Sequence, residues 1–229
     1  MFSMHIPDGF IDTPTSIAAW IIALIGIAIA LQRSSDDPLE SRAAMAGMVA
    51  AFVFAGQMLN FPVAGGTSGH LMGGVLAAVL VGPWMGALAL TVVLVVQAVL
   101  FADGGISAIG LNVINMAFIP AFVGYGIFVV TRKLLPATRS GVLASTFVAS
   151  VLSIVLSAMA FVVQYAIGGN GAVPIAEAAT AMIGVHLLIG VGEALFTAFA
   201  VGAVLASRPD LVYGARDLRP SVPTMAVAS

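Results

Sequence analysis

No Asp, Glu, Lys or Arg stands between Arg42 and Asp103, and uncharged stretches also cover residues 13–32, 104–131 and 140–176. Such runs fix the solvent before any motif is read. Lipid offers no partners to backbone N–H and C=O groups, so only helices or a closed barrel satisfy them there. The runs lack period-two alternation, which favours helices over barrel strands. Across 229 residues only 8% are charged, against about a quarter in a soluble domain. That is too little to clothe a water-facing surface. The net charge of −2 gives no basis for nucleic-acid binding. There is no cysteine, so disulfides and thiolate ligands are excluded and any metal must be held by nitrogen or oxygen.

Glycine, proline and charged breaks divide the chain into seven predicted spans at 17–31, 43–60, 70–81, 84–102, 109–130, 142–167 and 179–206. The fold class is therefore all-α, a polytopic membrane helix bundle of about seven transmembrane helices. Gly82-Pro83 ends the third span, and Pro120 predicts a kink in the fifth. Residues 61–69 (FPVAGGTSG) are too glycine-rich for a plain helix. The third span is short for about 30 Å of hydrocarbon, so it is expected to begin part-way down, beside a re-entrant loop. Residues 1–208 read as one transmembrane domain, and 209–229 as a cytoplasmic tail expected to be disordered.

The charges orient this map. All eight basic residues (Arg33, Arg42, Arg132, Lys133, Arg139, Arg208, Arg216 and Arg219) fall on one side, while Asp8, Asp12, Asp103 and Glu177 fall on the other. The positive-inside rule then puts the N-terminus outside and the C-terminus in the cytoplasm, as expected for a multi-pass protein of the cell membrane. Ala43, Gly47, Ala51 and Ala55 make a small-residue stripe on the second span, with Ala19 and Ala23 on the first. Such stripes serve close packing within the bundle or the docking of another membrane subunit.

The histidines are His5, His70 and His186. On this topology His5 and His70 open on the same outer face. If translation starts at Met4, His5 becomes the second residue. Its imidazole, its deprotonated amide and the free amine of Met4 then form fused chelate rings, and His70 can supply a fourth nitrogen. A planar four-nitrogen set suits Ni2+ or Cu2+, accommodates Co2+ and serves Mg2+ or Ca2+ poorly.

MHIPDGFI at residues 4–11, FPVAGGTSGHLMGG at 61–74 and ADGGISAIGLNVINMA at 102–117 resemble the CbiM/NikM family, the substrate-capture components of energy-coupling-factor cobalt and nickel transporters. The resemblance extends over nearly all seven spans. It implies a seven-helix bundle whose N-terminus tucks in from outside, and metal ligands at the Met4 amine, His5 and His70. The transported ligand would be Co2+ or Ni2+, with cobalt supply for cobalamin biosynthesis the expected use and no catalytic cofactor. The three residues before Met4 depart from the family pattern and bear on the amine alone. The implied partners are a CbiQ-like coupling subunit, CbiO-like ATPases and a small CbiN-like membrane subunit.

Around these residues the sequence leaves alternatives. Thr67 and Ser68 either support His70 or, for Ser68, cap the third helix. Asp8 and Asp103 either enrich cations at the outer mouth or hold turns. Asn112 and Asn115 are expected as buried amides bridging helices. His186 and Glu193, seven residues apart on one helix face, either line a path or couple to a partner, or form a structural network. The chain is expected to be no enzyme. It lacks GxxxxGK[ST], and its single lysine, Lys133, has no glycine-rich loop. The rival readings are an intramembrane serine protease using Ser68 in Gly66-Thr67-Ser68-Gly69 with His186 as base, and an ion channel or carrier.

Overall fold

A computed structural model describes residues 5–35, 39–58, 61–63 and 67–218. Five of its helices are long and apolar enough to cross a membrane: α1 (Thr13–Ser35), α4 (Pro83–Leu100), α5 (Ile109–Leu134), α6 (Arg139–Gly168) and α7 (Ile175–Ser207). Two of the seven expected spans fall short of this: the apolar part of α2 (Leu39–Gln57) is Ala43–Gln57, and α3 (Gly74–Val81) has eight residues. The outward faces carry bare apolar side chains, with Ile22 56%, Leu195 62% and Phe199 78% exposed. Water would penalise such a belt, whereas lipid accepts it.

The segment too glycine-rich for a helix forms an antiparallel ribbon, in which β1 (Phe61–Val63) pairs with β2 (Thr67–Gly69). Helix α3 therefore starts at Gly74 and not at His70, and Gly73 caps it without a side-chain bond. The N-cap position is thus Gly73 and not Ser68. All eight residues of α3 are buried, so the helix runs inside the bundle.

Around Pro120, α5 widens into a π-helix over Val113–Gly124. Proline lacks an N–H to donate, and the wider turn absorbs that loss. A Cβ at Gly74 would overlap the Pro120 ring, so glycine there lets α3 approach α5. Asn115 and Gln164 exchange two amide hydrogen bonds of 2.8 Å between α5 and α6, the expected bridge.

Ala19 and Ala23 are buried in the bundle, but Ala43, Gly47, Ala51 and Ala55 face away from it. The chain beyond α7, read as a tail from residue 209, makes two 3-10 turns, Pro209–Leu211 and Tyr213–Leu218. Val212 and Ala215 bury there, Arg132 pairs with Asp217, and the Arg216 guanidinium lies 3.7 Å over the Tyr213 ring. Burial and paired charge order a segment whose composition alone suggested disorder. Residues 219–229 lie outside the described residues.

Candidate metal centre

Residues 5–12 form a plug fixed on three sides. Ile6, fully buried, donates its N–H to Asn112 Oδ1 at 2.8 Å, and its carbonyl accepts from Asn112 Nδ2 at 3.3 Å and Gly105 N–H at 2.9 Å. Asp8 Oδ1 accepts from the N–H and hydroxyl of Ser107 at 2.8 and 2.5 Å. Phe10 stacks on Tyr165 with ring centroids 5.0 Å apart. Asp12 N–H donates to the Gly168 carbonyl at 2.7 Å, and the Phe10 carbonyl accepts from Asn170 N–H at 3.1 Å. The Asp12 carboxylate then caps α1 through Thr15 N–H at 2.9 Å.

This docking carries His5 to His70. Their ring centroids lie 4.8 Å apart at an interplanar angle of 43°, and both side chains are buried. His70 Nδ1 lies 2.9 Å from the Leu71 carbonyl. A carbonyl can only accept, so Nδ1 carries the proton and Nε2 keeps its lone pair. That Nε2 is buried with no hydrogen-bond partner among the described residues, and such an orphan calls for an explanation.

Both imidazoles are poised neutral. Burial lowers His5 from 6.5 to about 3, and neighbouring His70 adds to the shift against a raising hydrogen bond with the Asp103 backbone. Burial likewise lowers His70, against the raising influences of its Leu71 hydrogen bond and of Asp103. The Asp103 carboxylate, 3.8 Å from His5 Nε2, therefore faces a neutral ring at neutral pH and makes no ion pair with it. Neutral imidazole is the metal-ligating form. No third His, Asp or Glu completes a metal-holding cluster among the described residues.

Of the other candidates, Met4 lies outside the described residues, as do the side chains of Thr67 and Ser68. Asp8 is engaged by Ser107 and fixes the plug; Asp103 stays at the histidine pair. His186 Nδ1 meets the Met182 carbonyl of its own helix at 2.6 Å. Glu193 accepts from Met72 N–H at 2.6 Å and Gly73 N–H at 3.0 Å. Sequence reasoning placed Asn112 between helices and singled out neither Gln57 nor Gln97. Gln57 Nε2 donates to the Met72 carbonyl and Gln97 Nε2 to Gln57 Oε1, both at 2.8 Å. Uncharged amides inside apolar helices were the available signal.

The profile of one family, described as the cobalt uptake substrate-specific transmembrane region, CbiM, matches residues 5–211. This chain belongs to the CbiM family. A CbiM cobalt transport protein of Sorangium cellulosum is 33% identical over 222 residues, covering 91% of this chain and 94% of that one. A fused nickel transport protein NikMN of Rhodobacter capsulatus is also 33% identical over 222 residues, covering 91% of this chain and 64% of its own. A crystal structure of a truncated transition-metal transporter superposes with a TM-score of 0.80 at 30% identity, over 89% of this chain and 99% of its own. The chain is thus a multi-pass membrane protein of a non-catalytic transport family. Nothing in these relatives supports a protease built on Ser68 and His186.

Proposed function

We propose that this chain captures Co2+ or Ni2+ at the outer face of the cell membrane, as the substrate-binding subunit of an energy-coupling-factor importer. The observation that carries the reading is the buried pair of neutral imidazoles, 4.8 Å apart, with His70 Nε2 holding an unused lone pair. Nitrogen donors of this kind suit late first-row divalent ions. His5 and His70 are the side-chain ligands in this reading, and the amine of Met4 with the His5 amide completes the set when the chain begins at Met4. Asp103, beside the pair, adds negative potential at the mouth.

Seven spans with an outer N-terminus go with this reading, supported by the gathering of basic side chains in the loops opposite His5. Delivery inward then belongs to partners: a CbiQ-like coupling subunit, CbiO-like ATPases and a CbiN-like subunit. The exposed stripe Ala43, Gly47, Ala51 and Ala55 supports a membrane partner on α2, and the fused NikMN name joins an N component to the M component in that relative. Cobalt captured this way would supply cobalamin biosynthesis.

The test is calorimetric titration of purified chains starting at Met1 or at Met4 with Co2+ and with Ni2+, alongside His5→Ala and His70→Ala. Tight binding by the Met4 chain, weakened at least about a hundredfold in each histidine variant, is expected. Parent-like binding in both variants ends the assignment.

A further inference from the structure

The Met72 peptide, two residues past His70, is gripped at both ends. Its N–H and that of Gly73 donate to the two oxygens of Glu193 on α7, at 2.6 and 3.0 Å. Its carbonyl accepts from Gln57 on α2, which Gln97 on α4 holds in turn. Glu193, Gln57 and Gln97 are 3%, 1% and 0% exposed. Gly73 sits in the left-handed region at φ +75°, and a Cβ there would stand 2.6 Å from Val53 Cγ2. The turn therefore has one shape, set from three helices.

A buried carboxylate is costly, and no Lys or Arg pairs with Glu193 among the described residues. Among the described residues its partners are the Met72 and Gly73 amides of the turn that begins at His70. The ring of His70 is itself tied to the Leu71 carbonyl, one half of the peptide bond whose other half is the Met72 N–H. Rotation of that peptide would take the anchor of the imidazole with it.

We infer that Glu193 is a positioning residue for metal capture: through the Met72 and Gly73 amides it sets the direction of His70 Nε2 and ties α7 to the occupancy of the site. This rests on the metal-capture reading above.

The experiment titrates the purified full chain with Ni2+ and follows the ligand-field absorption band, in the parent, Glu193→Ala, Glu193→Gln and His70→Ala. Loss of a group that orients a ligand typically weakens binding ten- to a hundredfold. Glu193→Ala is expected to fall by about that factor and to shift the band, with Glu193→Gln, which keeps one acceptor oxygen, recovering part of both. Weaker binding with an unmoved band marks a merely structural role and overturns the proposal. So does parent-like binding in Glu193→Ala when His70→Ala has lost it. Parent-like binding in His70→Ala instead removes the site reading itself. Should Glu193→Ala not fold, Gln57→Ala frees the other end of the Met72 peptide, and an unchanged affinity and band in that variant overturn the proposal equally.

Discussion

Ile6 and Asn112 treat each other as neighbouring strands would: the Ile6 N–H and carbonyl pair with the two ends of the Asn112 amide, at 2.8 and 3.3 Å. A side chain on α5 thus does for the amino-terminal segment what a β-ladder does elsewhere. Asn112→Ala removes both bonds from a buried site. At about 1 kcal/mol each, the loss is about 2 kcal/mol of docking, or roughly thirtyfold. Metal affinity is expected to fall by that factor while the helical bundle keeps its thermal midpoint; calorimetry and circular dichroism check the two halves.

Acid should release the same segment. Docked His5 is held down to about 3, and an undocked one returns to the ordinary 6.5, so the released form binds protons more readily. Docking is complete above about pH 6.5 and weakens below it by up to about 1.4 kcal/mol per pH unit, until the docked value is reached. Hydrogen exchange of residues 5–12 without metal, corrected for intrinsic rates, is expected to rise between neutral pH and about pH 4.5. Flat protection would refute the linkage.

Gly105 meets the plug with no room to spare. A Cβ there would overlap the Asp8 backbone nitrogen and carboxylate. Gly105→Ala is expected to displace residues 7–9, expose His5 to chemical modification and weaken metal binding at least tenfold. Modification mapped by mass spectrometry gives the readout, and an unreactive His5 in this variant contradicts the expectation.

Gly47 is the opposite case, since a Cβ there meets nothing within 4 Å. Gly47→Leu is expected to leave folding and metal binding unchanged and to abolish co-purification with a coupling subunit, because bulk on a small-residue face prevents close helix approach. Retained co-purification would move the docking surface elsewhere.

What the sequence made legible and what it hid divide along physical lines. Apolar run length and charge placement are strong, cumulative signals, so the helices and the meeting of His5 with His70 on one face followed from them. The ribbon at 61–69 was hidden because glycine-rich segments satisfy many backbone paths. The clamp of Gln57, Gln97 and Glu193 was hidden because a lone buried amide has no period to read. Asn112 was expected between helices, yet it grips a backbone more than a hundred residues away in sequence. The outward face of Ala43 and Gly47 turned on helix rotation, which small residues at a spacing of four do not specify.

Phe10 and Asp12 find their long-range backbone partners on Asn170 and Gly168, and this sets an order of assembly. Residues 10–12, made well before α6, are among the last to settle, since they wait for nearly the whole of α6 to be made and threaded. A nascent chain therefore cannot complete its amino-terminal plug before α6 is made. Quality control comes built in: a truncated product lacking the α6–α7 connection keeps the Asn112 and Ser107 contacts but loses the latch on residues 10–12.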